Sequence, residues 1–418
     1  MYLKKYNQKV VYSMKFIDIN EFVSKSITKR KVSMFVEDII RDNEMIEERI
    51  NGKKFLVIGG AGSIGSSFIH AILAYYPEAL VVVDINENSL AELTRDLRSS
   101  GDKIHIPDDY VTYPMDYASN VFAKMFRDRK GFDYVANFSA HKHVRSEKDI
   151  YSIESLLKNN IIHAKALLNL LTEFPPEMYF CVSTDKAANP VNIMGASKRI
   201  MEDMIFSYSD IFPVTTARFA NVAFSNGSLP AGFLARLSKH QPLSAPSDVK
   251  RYFISLKESG QICMLACLLG KNREIFFPKL YKSQMMSFDK IATELLHAYG
   301  YEVLECSSEQ EAIANVERLQ SGSNKYPVYY SVSDTSGEKD YEEFFTDNED
   351  VDLERMKALG IIIGKKVPDK VKIKLLCSRL QEEFDKECSD KEAIIKILHD
   401  YLPNFHHIEL NKNLDSKM

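Results

Sequence analysis

A short stretch of the sequence combines hydroxyl, carboxylate and ammonium groups, which are the side chains needed to move protons at a bound molecule. Ser183, Thr184, Asp185 and Lys186 follow one another directly, and Lys198 comes soon after them. A neighbouring lysine and carboxylic acid can serve as base and acid when the amine is neutral and the acid protonated. Burial favours these neutral forms, whereas the opposite charges favour the ionised ones, and the sequence leaves open which effect is stronger.

The residues around this cluster predict the order strand, loop and helix. The apolar run 178–182 predicts a buried strand, residues 183–192 the loop at its carboxyl end, and Met194 lies where a helix begins. In an open α/β sheet, ligands bind at the carboxyl ends of the strands. We therefore expect the cluster at the ligand-binding edge of a sheet.

A glycine-rich turn earlier in the chain is typical of dinucleotide binding. Residues 53–58 predict a strand, and a helix is predicted to end near Tyr75. The turn between them holds the residues that we assign to the cofactor: Gly59, Gly62, Ser63, Ile64 and Gly65. Glycines here let the backbone turn tightly and approach a pyrophosphate, whose charge is stabilised by the free N–H groups at the start of the helix.

An acid at the end of the second predicted strand indicates which dinucleotide is bound. Residues 79–84 predict this strand, and its last residue, Asp84, is placed to bind the ribose hydroxyls of adenosine. The carboxylate would repel a 2′-phosphate, and no arginine follows it directly, so we expect NAD and not NADP. The alternative interpretation of Asp84 is an acid in a simple turn at the end of a strand.

These motifs closely resemble those of the nucleotide-sugar 4,6-dehydratases in the extended short-chain dehydrogenase/reductase superfamily, and most of all the UDP-N-acetylglucosamine 4,6-dehydratase group. The resemblance covers residues 35–345 and includes Asn189-Pro190 and the sequence from Met194 to Lys198. It implies an α/β fold with a Rossmann-type doubly wound parallel sheet and a smaller α/β substrate-binding region. It also implies an enzyme that uses NAD to convert a UDP-sugar into a 4-keto-6-deoxy sugar for surface glycans.

The resemblance assigns further residues to the cofactor. They are Asp116, Ser139, Ala140, Lys142, Asn160 and Lys198. Asp116 matches an acid that contacts adenine, and an ordinary helix cap is its alternative interpretation. Asn160 matches an active-site asparagine, and its alternative is a buried amide that satisfies backbone groups. His141 and His143 lack an apparent third ligand nearby, so we expect no metal site.

The residues implied to bind the substrate extend over a long part of the chain. They are Lys142, Ser183, Thr184, Asn221, Gly227, Ser228, Arg251 and Glu338. Asn221 and the turn that follows it are implied to hold the diphosphate, and the planar guanidinium of Arg251 suits a phosphate. Glu338 is implied to contact the uridine ribose, with a solvated turn as the alternative.

The resemblance also implies catalytic roles, with one departure. Lys186 would remove the proton from carbon 5 of the sugar and Asp185 would protonate the hydroxyl leaving carbon 6. The usual base of the superfamily is a tyrosine four residues before the lysine, and this chain has Met194 there. Methionine cannot ionise, so Thr184, Asp185 or a held water would deprotonate the carbon 4 hydroxyl, while Lys198 orients the nicotinamide ribose. The same change occurs in one branch of the resembled family.

Two other functions compete with dehydration. A nucleotide-sugar 4-epimerase needs only the redox step at carbon 4, and the pair Asp185 and Lys186 argues against it. A non-catalytic NAD-binding protein is suggested by Met194, and the presence of Asn221 and Arg251 together with that pair argues against it.

Composition restricts partners and location. The 418 residues carry a net charge of −4 with dispersed lysines and arginines, so no nucleic-acid partner is expected. The six cysteines show no paired spacing, which predicts reduced, buried thiols and a cytoplasmic protein. Residues 1–12 are too polar for a signal peptide. Residues 55–77 are uncharged, but their glycines and serines divide them into strand, turn and helix, so no membrane span is expected.

We expect four regions along the chain. They are an N-terminal arm and helix (1–50), an NAD-binding Rossmann domain (51–220), a mainly substrate-binding region (221–349) and a C-terminal helical extension (350–418). Within the first region, residues 35–50 predict one helix. In the last, a capping box beginning at Ser389 predicts the start of a helix that Pro403 ends. Pairing of long helices in the resembled superfamily implies a homo-oligomer, a dimer or larger.

Overall fold

The computed structural model describes residues 16–142, 147–320, 323–332 and 342–407. Glu338 and His143, both considered above, lie outside the described residues. The strands of the described part are β1 (Lys54–Ile58), β2 (Ala79–Asp84), β3 (Asp109–Pro114), β4 (Tyr134–Asn137), β5 (Met178–Val182), β6 (Val214–Ala217), β7 (Asn221–Val222), β8 (Leu243–Pro246), β9 (Lys250–Arg251), β10 (Phe253–Ile254), β11 (Glu274–Pro278), β12 (Met286–Ser287), β13 (Glu302–Cys306), β14 (Lys325–Ser331), β15 (Asp350–Asp352) and β16 (Leu359–Ile363).

Nine of these strands form the main sheet, in the order β15-β16-β11-β6-β5-β4-β1-β2-β3. The seven strands from β11 to β3 are parallel to their neighbours. The chain starts at β1, winds outwards to β3 and then returns to β4 on the other side of β1. The predicted doubly wound parallel sheet is thereby confirmed, and ligands of such sheets bind where the winding reverses, here between β1 and β4.

Helices pack against this sheet, and its central strands β1, β2, β4 and β5 are apolar and almost wholly buried. The helices of the described part are α1 (Ile19–Phe22), α2 (Val36–Arg41), α3 (Asn43–Ile50), α4 (Ser63–Ile72), α5 (Glu87–Ser99), α6 (Asn120–Asp128), α7 (Ile150–Leu157), α8 (Ala164–Leu171), α9 (Ile193–Phe206), α10 (Leu229–Ser238), α11 (Leu256–Leu269), α12 (Phe288–Ala298), α13 (Glu309–Ala314), α14 (Val316–Gln320), α15 (Lys370–Phe384) and α16 (Lys391–Tyr401). A π-helical segment, Lys158–His163, joins α7 to α8 and contains Asn160. No helix among the described residues is long and apolar enough to cross a membrane.

A second, smaller core lies beside the main sheet. The three parallel strands β13-β14-β8 pack with α10 and α12 around apolar residues such as Leu295 and Tyr326. Residues 19–27 belong to this core, because Phe22, Val23 and Ile27 are buried in it. The described part of the predicted arm is therefore a packed element. Three buried residues are too few to show a period in the sequence.

The segment before β1 also differs from its prediction. Residues 35–50 form two helices, α2 and α3, and not one, because the backbone leaves helical geometry at Asp42 with φ −104° and ψ 16°. Arg30 ties this part of the chain to α11 through two hydrogen bonds of 2.8 Å to the carboxylate of Glu258. The helix α3 also packs against α11, so this segment is held to that helix.

The C-terminal segment begins with strands and not with helices. β16 pairs antiparallel with β11, and β15 pairs antiparallel with β16, so both extend the main sheet. The helices α15 and α16 follow. Asp390, not Ser389, caps α16, and the Ser389 hydroxyl instead donates to Glu154 at 2.7 Å. The Asp390 carboxylate accepts the backbone N–H groups of Glu392 and Ala393. The Ser389 hydroxyl, which was predicted as the cap, accepts neither of them.

All six cysteines are free, and five of them are buried as predicted. The prediction is wrong for Cys388, which is exposed because it lies in the turn between α15 and α16.

Candidate functional site

The cluster predicted to carry the chemistry lies at the carboxyl end of β5, beneath the start of α9. A short 3₁₀ turn, Asp185–Ala187, follows the strand, and Asn192 caps α9 by accepting the N–H of Gly195 at 2.7 Å. A Cβ atom at Gly195 would lie 2.7 Å from the carbonyl oxygen of Lys186. Only glycine allows the helix to approach the catalytic turn so closely.

Three side chains of the cluster bond to one another. The Thr184 hydroxyl donates to Asp185 Oδ1 at 2.7 Å, and Lys186 Nζ lies 3.3 and 3.4 Å from the two carboxylate oxygens of Asp185. Asp185 is buried, with 5% of its surface exposed. The carboxyl group and the amine that the sequence places side by side therefore also lie side by side in the folded chain.

Lys198 enters the same site from α9. Its ammonium group donates to the carbonyl of Val182 at 2.9 Å, and its surface is 4% exposed. Burial lowers the pKa of Lys198 to about 8. Met194, one turn earlier, is also buried, and its backbone N–H donates to Glu147 at 3.0 Å. Glu147 was not among the predicted residues.

A cavity joins the predicted cofactor and catalytic residues. Its lining consists of Ile64, Phe138, Ala140, Lys142, Val182, Ser183, Thr184, Met194 and Lys198. The glycine turn, the end of β4, the end of β5 and the start of α9 thus meet in one space. Burial lowers the pKa of Lys142 in this cavity.

The glycine turn has the form expected for a dinucleotide. Gly59 has φ +70°, and a Cβ atom there would lie 2.7 Å from the backbone nitrogen of Ser139. Gly62 and Gly65 flank the start of α4. Asp84 accepts the N–H of Ala61 at 3.1 Å, so its carboxylate lies directly beside the turn. The residues present fit NAD, because a close backbone approach and an adjacent acid are both needed to hold it.

Two predicted cofactor residues have contacts of their own. The Asn160 amide accepts the N–H of His141 at 2.9 Å and donates to its carbonyl and to Ser197, both at 3.0 Å. It therefore joins the end of β4 to α9. The Asp116 carboxylate accepts the N–H of Ala118 at 2.8 Å within a turn.

The turn predicted to hold a diphosphate lies against the glycine turn. The backbone of Asn226 accepts a hydrogen bond from Lys142 Nζ at 3.0 Å and donates to the Ser63 hydroxyl at 2.8 Å. Gly227 follows with φ +76°, and the Ser228 hydroxyl caps α10. Cofactor and substrate residues assigned from separate motifs are thus brought together.

Asn221 and Arg251 lie beside an acid that sequence reasoning missed. The Asn221 amide donates to Glu342, and the backbone N–H of Tyr252 donates to the same carboxylate at 2.7 Å. Arg251 is 6% exposed. The sequence held one weak signal, since Glu342 precedes Phe344, an apolar residue that indicates burial at this point.

Ser183 was predicted to bind substrate, but its hydroxyl donates at 2.6 Å to Glu202, a buried carboxylate of α9. Glu202 in turn receives two hydrogen bonds, of 2.9 and 2.7 Å, from Arg218 at the end of β6. Arg218 is fully buried and also binds Glu349 at 2.8 and 3.0 Å. This buried ion network, Ser183-Glu202-Arg218-Glu349, holds the loop that follows β5 through the Ser183 hydroxyl.

Comparison with known proteins identifies similar chains. Residues 55–363 match the family described as Polysaccharide biosynthesis protein. The probable polysaccharide biosynthesis protein EpsC of Bacillus subtilis is 32% identical over 62% of this chain and 43% of its own length. The UDP-N-acetylglucosamine 4,6-dehydratase (inverting) of Campylobacter jejuni is 28% identical over 55% of this chain and 68% of its own. UDP-glucose 4-epimerases are also similar.

The chain thus spans less than half the length of EpsC. Among solved structures, Pen from Bacillus thuringiensis superposes with a TM-score of 0.59 at 22% identity, covering 77% of this chain and 90% of that one. The two proteins share a fold.

Proposed function

Since the chain belongs to the polysaccharide biosynthesis protein family, we propose that it is an NAD-dependent nucleotide-sugar 4,6-dehydratase that acts on UDP-N-acetylglucosamine. The observation that carries the proposal is the cluster of Thr184, Asp185 and Lys186, which adjoins the cavity of Met194 and Lys198. An epimerase only oxidises and reduces carbon 4. It has no need for an acid and a base directed at carbons 5 and 6.

The residues that would hold NAD are the glycine turn, Asp84 and Lys198. When bound, NAD would supply the hydride acceptor for carbon 4 of the sugar and the hydride donor for carbon 6. The protein itself must bind both molecules, shield them from water and move protons at carbons 4, 5 and 6. The cavity between the glycine turn and the catalytic turn is the space in which these tasks meet.

The first proton comes from the carbon 4 hydroxyl. The Thr184 hydroxyl already donates to Asp185 at 2.7 Å, so a proton accepted by Thr184 from the sugar can pass to the carboxylate as Thr184 gives up its own. Of the candidates for this step, the geometry favours Thr184 and Asp185 acting in sequence. Met194 fills the place of the usual tyrosine without ionising, which supports membership of the branch of the family that carries methionine here.

The other two proton movements release water. With a ketone at carbon 4, the hydrogen on carbon 5 becomes acidic, and Lys186 as a neutral amine removes it. Asp185 gives the proton it has received to the hydroxyl leaving carbon 6, which departs as water. Lys186 then returns its proton to carbon 5. Atoms balance, because the only loss from the sugar is one water molecule.

Mass spectrometry and chromatography of the products test this function. Incubation of the protein with NAD and UDP-N-acetylglucosamine is expected to give a nucleotide sugar that has lost one water. An epimerase would give an isomer of unchanged mass, and a non-catalytic protein would return the substrate. Either of these two results would contradict dehydration.

Replacing Arg251 with alanine is expected to weaken UDP binding by about 2 to 3 kcal/mol, the size of a lost charge-assisted hydrogen bond. Arg251 is buried next to Asn221, where the diphosphate is proposed to bind. Calorimetric titration with UDP measures the change. Arg379→Ala is the matched control, since Arg379 pairs with Asp400 on the C-terminal helices. Equal affinities of the two variants would remove Arg251 from the site.

We expect NAD binding to weaken as the pH rises through about 8. The pKa of Lys198 is lowered to about 8 by burial, so its ammonium group is present below that pH and lost above it. The dissociation constant should rise roughly fivefold between pH 8 and about pH 9, in proportion to the lost charged form. Fluorescence titration gives the constant at each pH. Lys198→Arg remains charged and should show no such change; a similar rise in that variant would assign the pH effect to another group.

A further inference from the structure

Glu342 is a carboxylic acid inside the site that the proposed mechanism has not used. Only 7% of its surface is exposed. Its two oxygens accept hydrogen bonds from the Asn221 amide and, at 2.7 Å, from the N–H of Tyr252. Such partners fix the position of the side chain, but neither carries a positive charge that would balance a carboxylate.

The neighbouring contacts place this acid at the catalytic turn. Asn189, in the loop that follows Lys186, donates to Glu343 at 2.9 Å, so the chain at residues 342 and 343 runs directly over that loop. Among the described residues, the charged groups that face Glu342 from the elements packed against it are Asp185, Lys186 and Arg251. The acid therefore lies between the reacting end of the site and the phosphate end.

Ionising two buried carboxyl groups in one site costs free energy, because like charges repel strongly in a low dielectric. Asp185 has Lys186 as a direct partner at 3.3 Å, whereas Glu342 has neutral donors. The proton is therefore held more firmly by Glu342. In agreement, burial and then the charge of Asp185 raise the pKa of Glu342 to about 8.

We propose that Glu342 is a positioning residue that keeps its proton at neutral pH, so that the single negative charge of the carboxyl pair stays on Asp185. Its role in turnover rests on the proposed dehydratase function, since Asp185 must begin the cycle as a base. When Glu342 ionises, a second negative charge appears in the site. This charge lies beside Asp185 and opposes a second carboxylate there, so the transfer of a proton from Asp185 to the leaving hydroxyl slows.

The activity test compares Glu342→Gln with the parent protein across pH. Glutamine is neutral at every pH and so resembles the protonated acid. With NAD saturating, because Lys198 changes charge in the same range, the parent kcat should fall roughly fivefold between pH 8 and about pH 9, as Glu342 ionises. Glu342→Gln should lack this fall, and Glu343→Gln, the adjacent control, should retain it. A merely structural role would lower kcat equally at all pH values, and that result, or an unchanged fall, would overturn the proposal.

Infrared titration of the free protein tests the proton itself. A protonated carboxyl band that disappears near pH 8 is expected in the parent and absent in Glu342→Gln. The titration is repeated in Asp203→Asn, because burial also raises the pKa of that carboxyl. If Glu342→Gln does not fold, the spectra of the parent and of Asp203→Asn still test whether Glu342 is protonated. The more conservative variant Glu342→Asp should then show a protonated carboxyl band. Absence of a band titrating near pH 8 from both the parent and Asp203→Asn would overturn the proposal. This readout needs no substrate, so it separates a wrong role for Glu342 from a wrong dehydratase function.

Discussion

Replacing Lys186 with methionine is expected to stop the loss of water while sugar oxidised at carbon 4 still forms. Lys186 is proposed to act only on the carbon 5 proton, and methionine has a similar length without a basic group. Loss of a general base costs on the order of 10²- to 10⁴-fold in rate. Thr184 and Asp185, which are bonded to each other at 2.7 Å, remain to deprotonate the carbon 4 hydroxyl. The reaction should therefore stop after oxidation at carbon 4 and before the loss of water.

Two measurements separate the steps. Absorbance of the reduced cofactor should accumulate in Lys186→Met but not in the parent. In heavy water, the parent should place deuterium at carbon 5 of the product, and the variant should not. Lys142→Met is the matched control, because Lys142 lines the same cavity but bonds to the Asn226 carbonyl. It should weaken binding and still place deuterium at carbon 5. Normal turnover with normal deuterium content in Lys186→Met would refute the role.

The second large effect concerns stability. Arg218→Met is expected to lower the free energy of unfolding by about 3 to 5 kcal/mol, because it removes the buried arginine that Glu202 and Glu349 share. Urea denaturation at neutral pH measures the loss. Arg127→Met is the control, since Arg127 makes a bidentate pair with Glu173 on the exposed surface, where solvent screens the charges, and its loss should be much smaller.

The difference in the free energy of unfolding between Arg218→Met and the parent should become smaller as the pH falls. Burial opposes ionisation of Glu349, but the hydrogen bonds and charges of Arg218 and Lys365 outweigh it and lower its pKa to about 2. A lowered carboxyl pKa stabilises the fold at pH values above the unfolded pKa, and this contribution is lost as the pH falls through the folded pKa. The difference between Arg218→Met and the parent should therefore narrow as the pH falls from about 4.5 towards 2. A constant difference over that range would exclude Glu349 as its source.

The parts of the site that the sequence predicted are those with local patterns. Three such features depend only on neighbours in the chain: the glycine turn, the acid at Asp84, and the order of strand, loop and helix around Asp185. Because strands and helices alternate along the chain, the sequence also predicts the α/β fold. Topology then decides which ends of strands meet. The turn at Gly227 lies beside the glycine turn only because the sheet brings them together.

The residues that sequence reasoning missed act through contacts between distant parts of the chain. Arg218 and Glu349 are 131 positions apart, and Asn221 and Glu342 are 121 apart. Neither acid belongs to a periodic pattern. Ser183 was assigned to the substrate because its position in a motif does not show that a glutamate of α9 accepts its hydroxyl. Likewise, β16 has the apolar run of a strand, but its place beside β11 depends on tertiary packing.

The pairing of β16 with β11 has a consequence for how the protein is made. Translation delivers the chain from its N-terminus, so every parallel strand of the main sheet emerges from the ribosome before residues 359–363 do. Until then β11 is an apolar edge strand with unpaired backbone groups, open to pairing with another nascent chain. Glu349 and Glu342 also arrive late, so the site is completed only in the last part of synthesis. Slow translation through residues 280–360 would therefore lengthen the interval in which a chaperone must shield this edge.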